Sequence, residues 1–130
     1  FDKACEYFGI KVIRGGVDKN GCGDLAAMDA AINDETVGLV GSAPCFSSGA
    51  IDDIEGITKL ANKNGRKLLV HVDACLGGFL LPWAKKLGYA IPAFDFELPG
   101  VSTISIDTHK YGYGPKGLSC LLFRNKALRR

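Results

Sequence analysis

Leu68-Leu69-Val70-His71-Val72-Asp73-Ala74-Cys75-Leu76-Gly77-Gly78-Phe79 reads as a buried strand that runs straight into a helix. Residues 68–72 are apolar except for His71, and Val70 and Val72 are β-branched, which favours an extended chain. An apolar run without alternation belongs to a sheet covered on both faces, as parallel sheets are. The helical stretch that follows, about 77–87, stops at Gly88, and Pro82 inside it implies a kink or a late helix start. Upstream, residues 36–42 (TVGLVGS) form a second buried strand, and a loop covers 43–50. Asp52 or Asp53 then caps a helix whose Ile54, Ile57, Leu60 and Ala61 lie on one stripe, with Gly65 at its C′ position. Downstream, Val101–Ile106 and Leu118–Phe123 complete the strands. Nearer the start, a helix spans 1–8, a short strand 10–14 (IKVIR), and a helix 25–32 is capped by Asp24. Strands alternating with helices specify an α/β layer with a mostly parallel sheet flanked by helices. Chemistry in such a sheet sits on loops at the carboxyl ends of the strands, here 42–50, 73–78 and 107–117.

The 130 residues are 47% hydrophobic and 23% charged, with Lys+Arg 16 against Asp+Glu 14. That composition builds a single globular unit and excludes a disordered tail. Balanced charge gives no nucleic-acid surface. The longest apolar stretch, Leu68–Ala84, contains His71 and Asp73 and is broken by Gly77, Gly78 and Pro82, so it is no membrane span. The chain starts at Phe1 with no signal-peptide pattern, and residues 1–130 read as an internal fragment of a larger domain. Five cysteines, scattered and without a CxxC, argue against a disulfide framework or a zinc site and for a reducing compartment.

Gly21-Cys22-Gly23-Asp24-Leu25-Ala26 fits G-x-G-x-x-A, but the preceding strand ends too far back for a dinucleotide turn, so a turn with an Asp cap accounts for it. Neither a G-x-S-x-G elbow nor a phosphate loop is present. His71, Asp73 and Cys75 resemble a partial metal set, yet only two histidines exist and no further anchor is evident, so no metal is assigned. Asp73 ends an apolar strand, where a carboxylate is costly to bury without a cationic partner. It either caps the next helix or serves a site. Lys110 lies in Asp107-Thr108-His109-Lys110-Tyr111-Gly112-Tyr113-Gly114-Pro115-Lys116-Gly117, a strand end rich in Gly, Tyr and hydroxyls. It is either a solvated surface lysine or a nucleophile. An acid and a lysine at the ends of neighbouring strands, one crossover apart, suit pyridoxal 5′-phosphate: the lysine forms the Schiff base and the acid faces the pyridine nitrogen.

HVDACLGGF (71–79) and SIDTHKYGYGPKG (105–117) resemble the two central motifs of the sphingosine-1-phosphate lyases. These are fold-type I, pyridoxal-phosphate-dependent enzymes, grouped with the glutamate-type amino-acid decarboxylases. The likeness extends to FDKACEYFGIKV (1–12) and FDFELPGVSTIS (94–105), and so to essentially the whole chain. It implies the PLP-binding large domain, with Lys110 as Schiff-base lysine and Asp73 as pyridinium partner. Ala74 would pack on a ring face, and His109 would orient cofactor or substrate. Thr108 would meet the cofactor phosphate and Ser42 would make a polar contact. Lys116 would bind the substrate phosphate. Tyr111, where the decarboxylases usually carry Trp, points to the lyase branch. The loop APCFSSG carries Ser48 near the place where many lyases have His, and Gly114 replaces a more usual Ala.

The implied reaction is carbon–carbon cleavage of a phosphorylated sphingoid base to a fatty aldehyde and phosphoethanolamine. The alternatives are an amino-acid decarboxylase of the same group and a non-catalytic α/β interaction module, though a structural role asks for none of Asp73, His109 and Lys110. The resemblance further implies a homodimer. It also implies a catalytic part facing the cytosol, at the endoplasmic reticulum membrane in eukaryotes and in the cytoplasm in bacteria.

Overall fold

The computed structural model describes residues 1–129. Helix α1 (Asp2–Tyr7) and helix α2 (Leu25–Ala31) precede strand β1 (Gly38–Ser42). Helix α3 (Ile54–Asn62) leads to strand β2 (Leu69–Asp73), and helix α4 (Gly77–Lys86) to strand β3 (Thr103–Asp107). Strand β4 (Ser119–Phe123) closes the sheet. The strands lie in the order β1-β2-β3-β4, with β1–β2 and β2–β3 parallel and β3–β4 antiparallel. The α/β class and the mostly parallel sheet are thus as the sequence pattern requires.

Leu39, Val70, Val72 and Ile104 point to one face of the sheet, where they pack with Ile54, Ile57 and Ala61 of α3 and Leu81 of α4. These side chains are nearly or wholly buried and form the core. Strand period two places Val40, Ser42, His71, Asp73, Thr103, Ser105 and Asp107 on the opposite face. Coverage of both faces was expected, but α3 and α4 cover only one. Val40 remains 42% exposed and Leu69 51%. The face opposite α3 and α4 is the polar one, and it carries the site.

Close approaches explain two glycines. A Cβ on Gly77 would lie 2.0 Å from the Ala43 carbonyl oxygen, and one on Gly78 would lie 1.9 Å from Ile106 Cγ2. Both residues let α4 press against the sheet at the carboxyl ends of its strands.

Helix α2 is capped by Asp24, which accepts from the N–H groups of Ala26 and Ala27. Of the two candidates before α3, Asp53 is the cap, accepting from Gly56 N at 2.8 Å. Asp52 accepts instead from Ser42 N at 2.6 Å and Gly23 N at 2.7 Å, and so ties the end of β1 to the glycine-rich turn. That turn is held by Asp18, which accepts from the N–H groups of Asn20 and Cys22, and it contains no strand leading into α2.

One local expectation is corrected, and one of two alternatives is excluded. Residues 10–14 form no strand: Ile10 N donates to Cys5 O at 2.8 Å, Arg14 pairs with Asp2, and Ile10, Val12 and Ile13 stay exposed. Alternation alone does not make a strand without a partner edge. Helix α4 begins upstream of Pro82 rather than after it. Pro82 merely leaves the carbonyl four residues back, that of Gly78, without its helical donor.

Candidate active site at the carboxyl ends of β1, β2 and β3

Parallel register sets the site. Ser42, Asp73 and Ser105 are Cα partners across β1, β2 and β3, so their side chains form a row on the polar face. Asp73 Oδ1 accepts from Cys75 N at 3.0 Å. That bond shapes the turn out of β2, whereas the N-cap of α4 is Leu76, without a side-chain cap. Asp73 is therefore not the cap of the following helix.

Beneath Asp73 in the same face, His71 shares hydrogen bonds with Thr103 Oγ1 (2.8 Å) and Ser105 Oγ (3.1 Å), and Phe1 packs edge-on against its ring at 5.5 Å. Burial pushes the His71 pKa down, and the nearby Asp73 charge offsets this only in part. A histidine held neutral in the fold stabilises it above the unfolded-state value of about 6.5. Acidification through that value protonates the unfolded chain first. Thermal stability is expected to fall between about pH 7 and pH 5, and His71→Gln should flatten that part of the profile. A profile unchanged by the substitution would show that other groups set the acid sensitivity.

Beyond β3, the chain turns sharply. Lys110 N donates to Asp107 O at 3.2 Å, and Gly114 N to Thr108 O at 2.7 Å. A Cβ on Gly112 would lie 2.9 Å from Thr108 Cα, Thr108 O and Phe79 Cε2, so the turn closes this tightly only around glycine. Gly114 is less constrained; a Cβ there would stand 3.0 Å from Thr108 Oγ1 and 3.2 Å from Thr108 O. The Thr108 hydroxyl donates to Leu118 O at 2.8 Å, and His109 Nδ1 is bonded to the same oxygen at 2.9 Å.

Lys110 Nζ stands 3.0 Å from Asp107 Oδ2 and 5.9 Å from the centre of the Phe46 ring. On the β2 side, the turn is met by Cys75 O, which accepts from Asp107 N at 3.2 Å. The loop after β1 reaches it through the Phe46 ring and the loop after β2 through Cys75, so the three loops expected to carry chemistry lie at one end of the sheet. Burial pulls the Lys110 pKa down, but hydrogen bonding and charge from Cys75 and Asp107 together outweigh it and leave the amine above its ordinary range. Burial raises the Cys75 thiol, and Lys110 lowers it only partly. In the loop after β1, the hydroxyls of Ser47 and Ser48 lower Cys45 to about 7.

Of the residues singled out in the sequence, the structure gathers Asp73, Lys110, His109, Thr108 and Ser42 at one end of the sheet. Ala74 is not with them. It is wholly buried in the core, next to Gly78, on the side away from Asp73. Cys75, the next residue, is only half-buried; its N–H donates to Asp73 Oδ1 and its O accepts from Asp107 N, so it joins the turn out of β2 to the end of β3. Lys116 lies exposed, six residues past Lys110. Asp107, which opens the 107–117 motif but was given no role in the sequence reading, proves to be the direct partner of Lys110.

A family model for aminotransferase class-V matches residues 1–130. The chain belongs to the aminotransferase class-V family. It is 53% identical to a sphingosine-1-phosphate lyase of Dictyostelium discoideum over 131 residues, covering 100% of this chain and 24% of that protein. A sphingosine-1-phosphate lyase of Rattus norvegicus is 50% identical, with 100% of this chain and 23% of that protein covered. The chain thus spans about a quarter of the length of the curated relatives it matches. Its structure superposes on a Burkholderia pseudomallei sphingosine-1-phosphate lyase with a TM-score of 0.94 at 46% identity, covering 99% of this chain and 29% of that one. A Lactobacillus brevis glutamate decarboxylase gives a TM-score of 0.85 at 25% identity, covering 98% and 29%. The fold is that of a fold-type I large domain. Among the described residues, no helix is long and apolar enough to cross a membrane.

The donor set of this class-V chain fits pyridoxal 5′-phosphate. A carboxylate and a primary amine stand at the carboxyl ends of the adjacent parallel strands β2 and β3, and the polar face of those strands is left uncovered by α3 and α4.

Proposed function

We propose that the chain is the cofactor-binding core of a sphingosine-1-phosphate lyase, cleaving a phosphorylated sphingoid base into a fatty aldehyde and phosphoethanolamine. The observation that carries this reading is the placement of the Asp73 carboxylate and the Lys110 amine at the carboxyl ends of the adjacent parallel strands β2 and β3. Relatives named as such lyases, about half identical to the whole chain, supply the substrate class. Bound pyridoxal 5′-phosphate supplies an electron sink for the pair released when a substrate bond breaks. Each residue contributes a separate task. Lys110 would hold the cofactor covalently through its amine. Asp73, at the end of β2, keeps a proton on the facing ring nitrogen. Cys75 follows the acid as a small side chain whose thiol is pushed up by burial. His109 is fixed by Leu118 O and orients what lies beside Lys110. Thr108 and Ser42 offer hydroxyls at the rim, Thr108 after releasing Leu118 O.

Lys116 is the residue expected to distinguish phosphorylated substrates. Its ammonium is exposed beyond the tight turn and suits a phosphomonoester. Full-length protein supplied with cofactor and a phosphorylated sphingoid base is expected to release a long-chain aldehyde and phosphoethanolamine. Lys116→Met should raise KM for that base about tenfold, the worth of one charge-assisted contact, and leave cofactor affinity unchanged. Carbon dioxide from an amino acid, with no aldehyde from the base, would establish a decarboxylase instead. The same reading makes the working unit a homodimer with its catalytic part facing the cytosol.

A further inference from the structure

The acid nearest Lys110 is Asp107, three residues back along the turn. Its two oxygens have separate tasks. Oδ1 accepts from Ser119 Oγ at 2.5 Å, and Oδ2 stands 3.0 Å from Lys110 Nζ. Ser119 is its register partner on β4, so the antiparallel pairing of β3 with β4 delivers the hydroxyl that fixes the carboxylate. The backbone is fixed as well: Asp107 N donates to Cys75 O at 3.2 Å, and Asp107 O accepts from Lys110 N. The side chain of Asp107 is 17% exposed and that of Lys110 26%. The other ion pairs between lysine and acid have side chains exposed by 31–71%.

We propose that Asp107 is a positioning residue for the Lys110 amine, holding it as an ammonium ion at the end of β3 whenever it is not joined to cofactor, with Ser119 keeping the carboxylate aimed. This rests on the assignment of Lys110 as the cofactor-bearing lysine. A flexible side chain with four carbons before its amine gains reach at the expense of aim. An acceptor built into the same turn restores the aim. It also imposes a condition, because only the neutral amine is a nucleophile. Asp107 therefore sets the pH range in which Lys110 can attack.

The other groups facing the amine are few. Cys75 approaches from the loop after β2 and is kept neutral by burial. Asp73 on β2 acts on that thiol. His109, on the turn itself, has Nε2 3.8 Å from Asp107 Oδ2 and adds to the pull on the carboxylate. Burial alone raises the Asp107 carboxyl, but Ser119, Lys110 and His109 outweigh it and hold the group below its ordinary range. On the loop after β1, the neighbour is the uncharged Phe46 ring.

The test reads the amine itself, apart from turnover. Cofactor-free, full-length protein is labelled with trace acetic anhydride across a pH series, and acetylation of the Lys110 peptide is followed by mass spectrometry. Wild-type labelling should rise with a midpoint above that of solvent-exposed lysines. Asp107→Asn should move the midpoint down by about one pH unit or more, and so increase labelling at neutral pH about tenfold. Ser119→Ala should move it the same way by a smaller amount. If Asp107→Asn fails to fold, Ser119→Ala carries the test alone. A midpoint identical to that of the wild type in the folded variant overturns the proposal. Borohydride trapping on the wild type separates the two assignments. Trapped cofactor on Lys110 with no midpoint shift removes Asp107 and keeps the lyase reading. A shift with no trapped cofactor removes the Schiff-base lysine, and the positioning role falls with it.

Discussion

Lys110→Ala in the full-length protein is expected to leave no cofactor that borohydride can fix to the chain, and to lower turnover by about three orders of magnitude or more. The reason lies in what surrounds the amine. Its neighbours are a carboxylate bonded to Ser119, a thiol kept protonated by burial, and an aromatic ring. No second lysine replaces it, since Lys116 lies on the exposed far limb of the turn. Alanine also leaves the fold intact. The turn is closed by Lys110 N on Asp107 O and by Gly114 N on Thr108 O, both backbone bonds that any side chain permits. The truncation strands Asp107 without its cation, but Ser119 and solvent still satisfy that carboxylate. Melting temperature should therefore fall by only a few degrees, the size expected for about 1 kcal/mol in a domain of this length. Cofactor still trapped by borohydride on the variant would place the covalent anchor elsewhere. So large a loss of turnover with so small a loss of stability is the mark of a residue kept for chemistry.

Much of this arrangement was legible in the order of residues, for a physical reason. Apolar runs at 37–40 and 68–72 can only be strands packed on helices, and the spacing of Ile54, Ile57 and Ala61 can only be the inward stripe of such a helix. Loops at the carboxyl ends of those strands then hold Asp73 and Lys110. Three things were not legible. The IKVIR segment reads locally like a strand, but pairing depends on an edge elsewhere in the molecule, and among the described residues no strand of the sheet pairs with it. Ala74 and Cys75 are adjacent, and which one enters the core depends on how the chain turns after Asp73. The Cys75 N to Asp73 Oδ1 bond makes that turn, with Ala74 buried in the core and Cys75 only half-buried. Asp107 was invisible as a partner because its task comes from β4, twelve residues further on, where antiparallel register brings Ser119 across. Local pattern names the strands, while pairwise tasks between strands appear only once register is known.

Asp73→Asn should separate binding from catalysis. Asparagine keeps the shape of the side chain, and its Oδ1 can still accept from Cys75 N, so the turn out of β2 and the start of α4 survive. The negative charge is lost. A carboxylate that faces a ring nitrogen holds a proton there by charge and hydrogen bond together, whereas a neutral amide holds it far less firmly. Turnover should fall by about 10²–10³, equivalent to roughly 3–4 kcal/mol of lost stabilisation as charge develops. Cofactor remains bound because Lys110 is untouched, so borohydride trapping persists. The position of Asp73 makes the effect specific. Its register partners on either side are Ser42 and Ser105, hydroxyls that cannot take over a negative charge, and Asp107 is already engaged by Lys110 and Ser119. Turnover within a few-fold of the wild type would mean that the carboxylate serves only the turn, through Cys75 N. A parallel loss of cofactor would mean that it anchors the ring without sustaining a charge on it. Retained cofactor with turnover lost is the one result that requires an anion at the end of β2 acting on the chemistry itself.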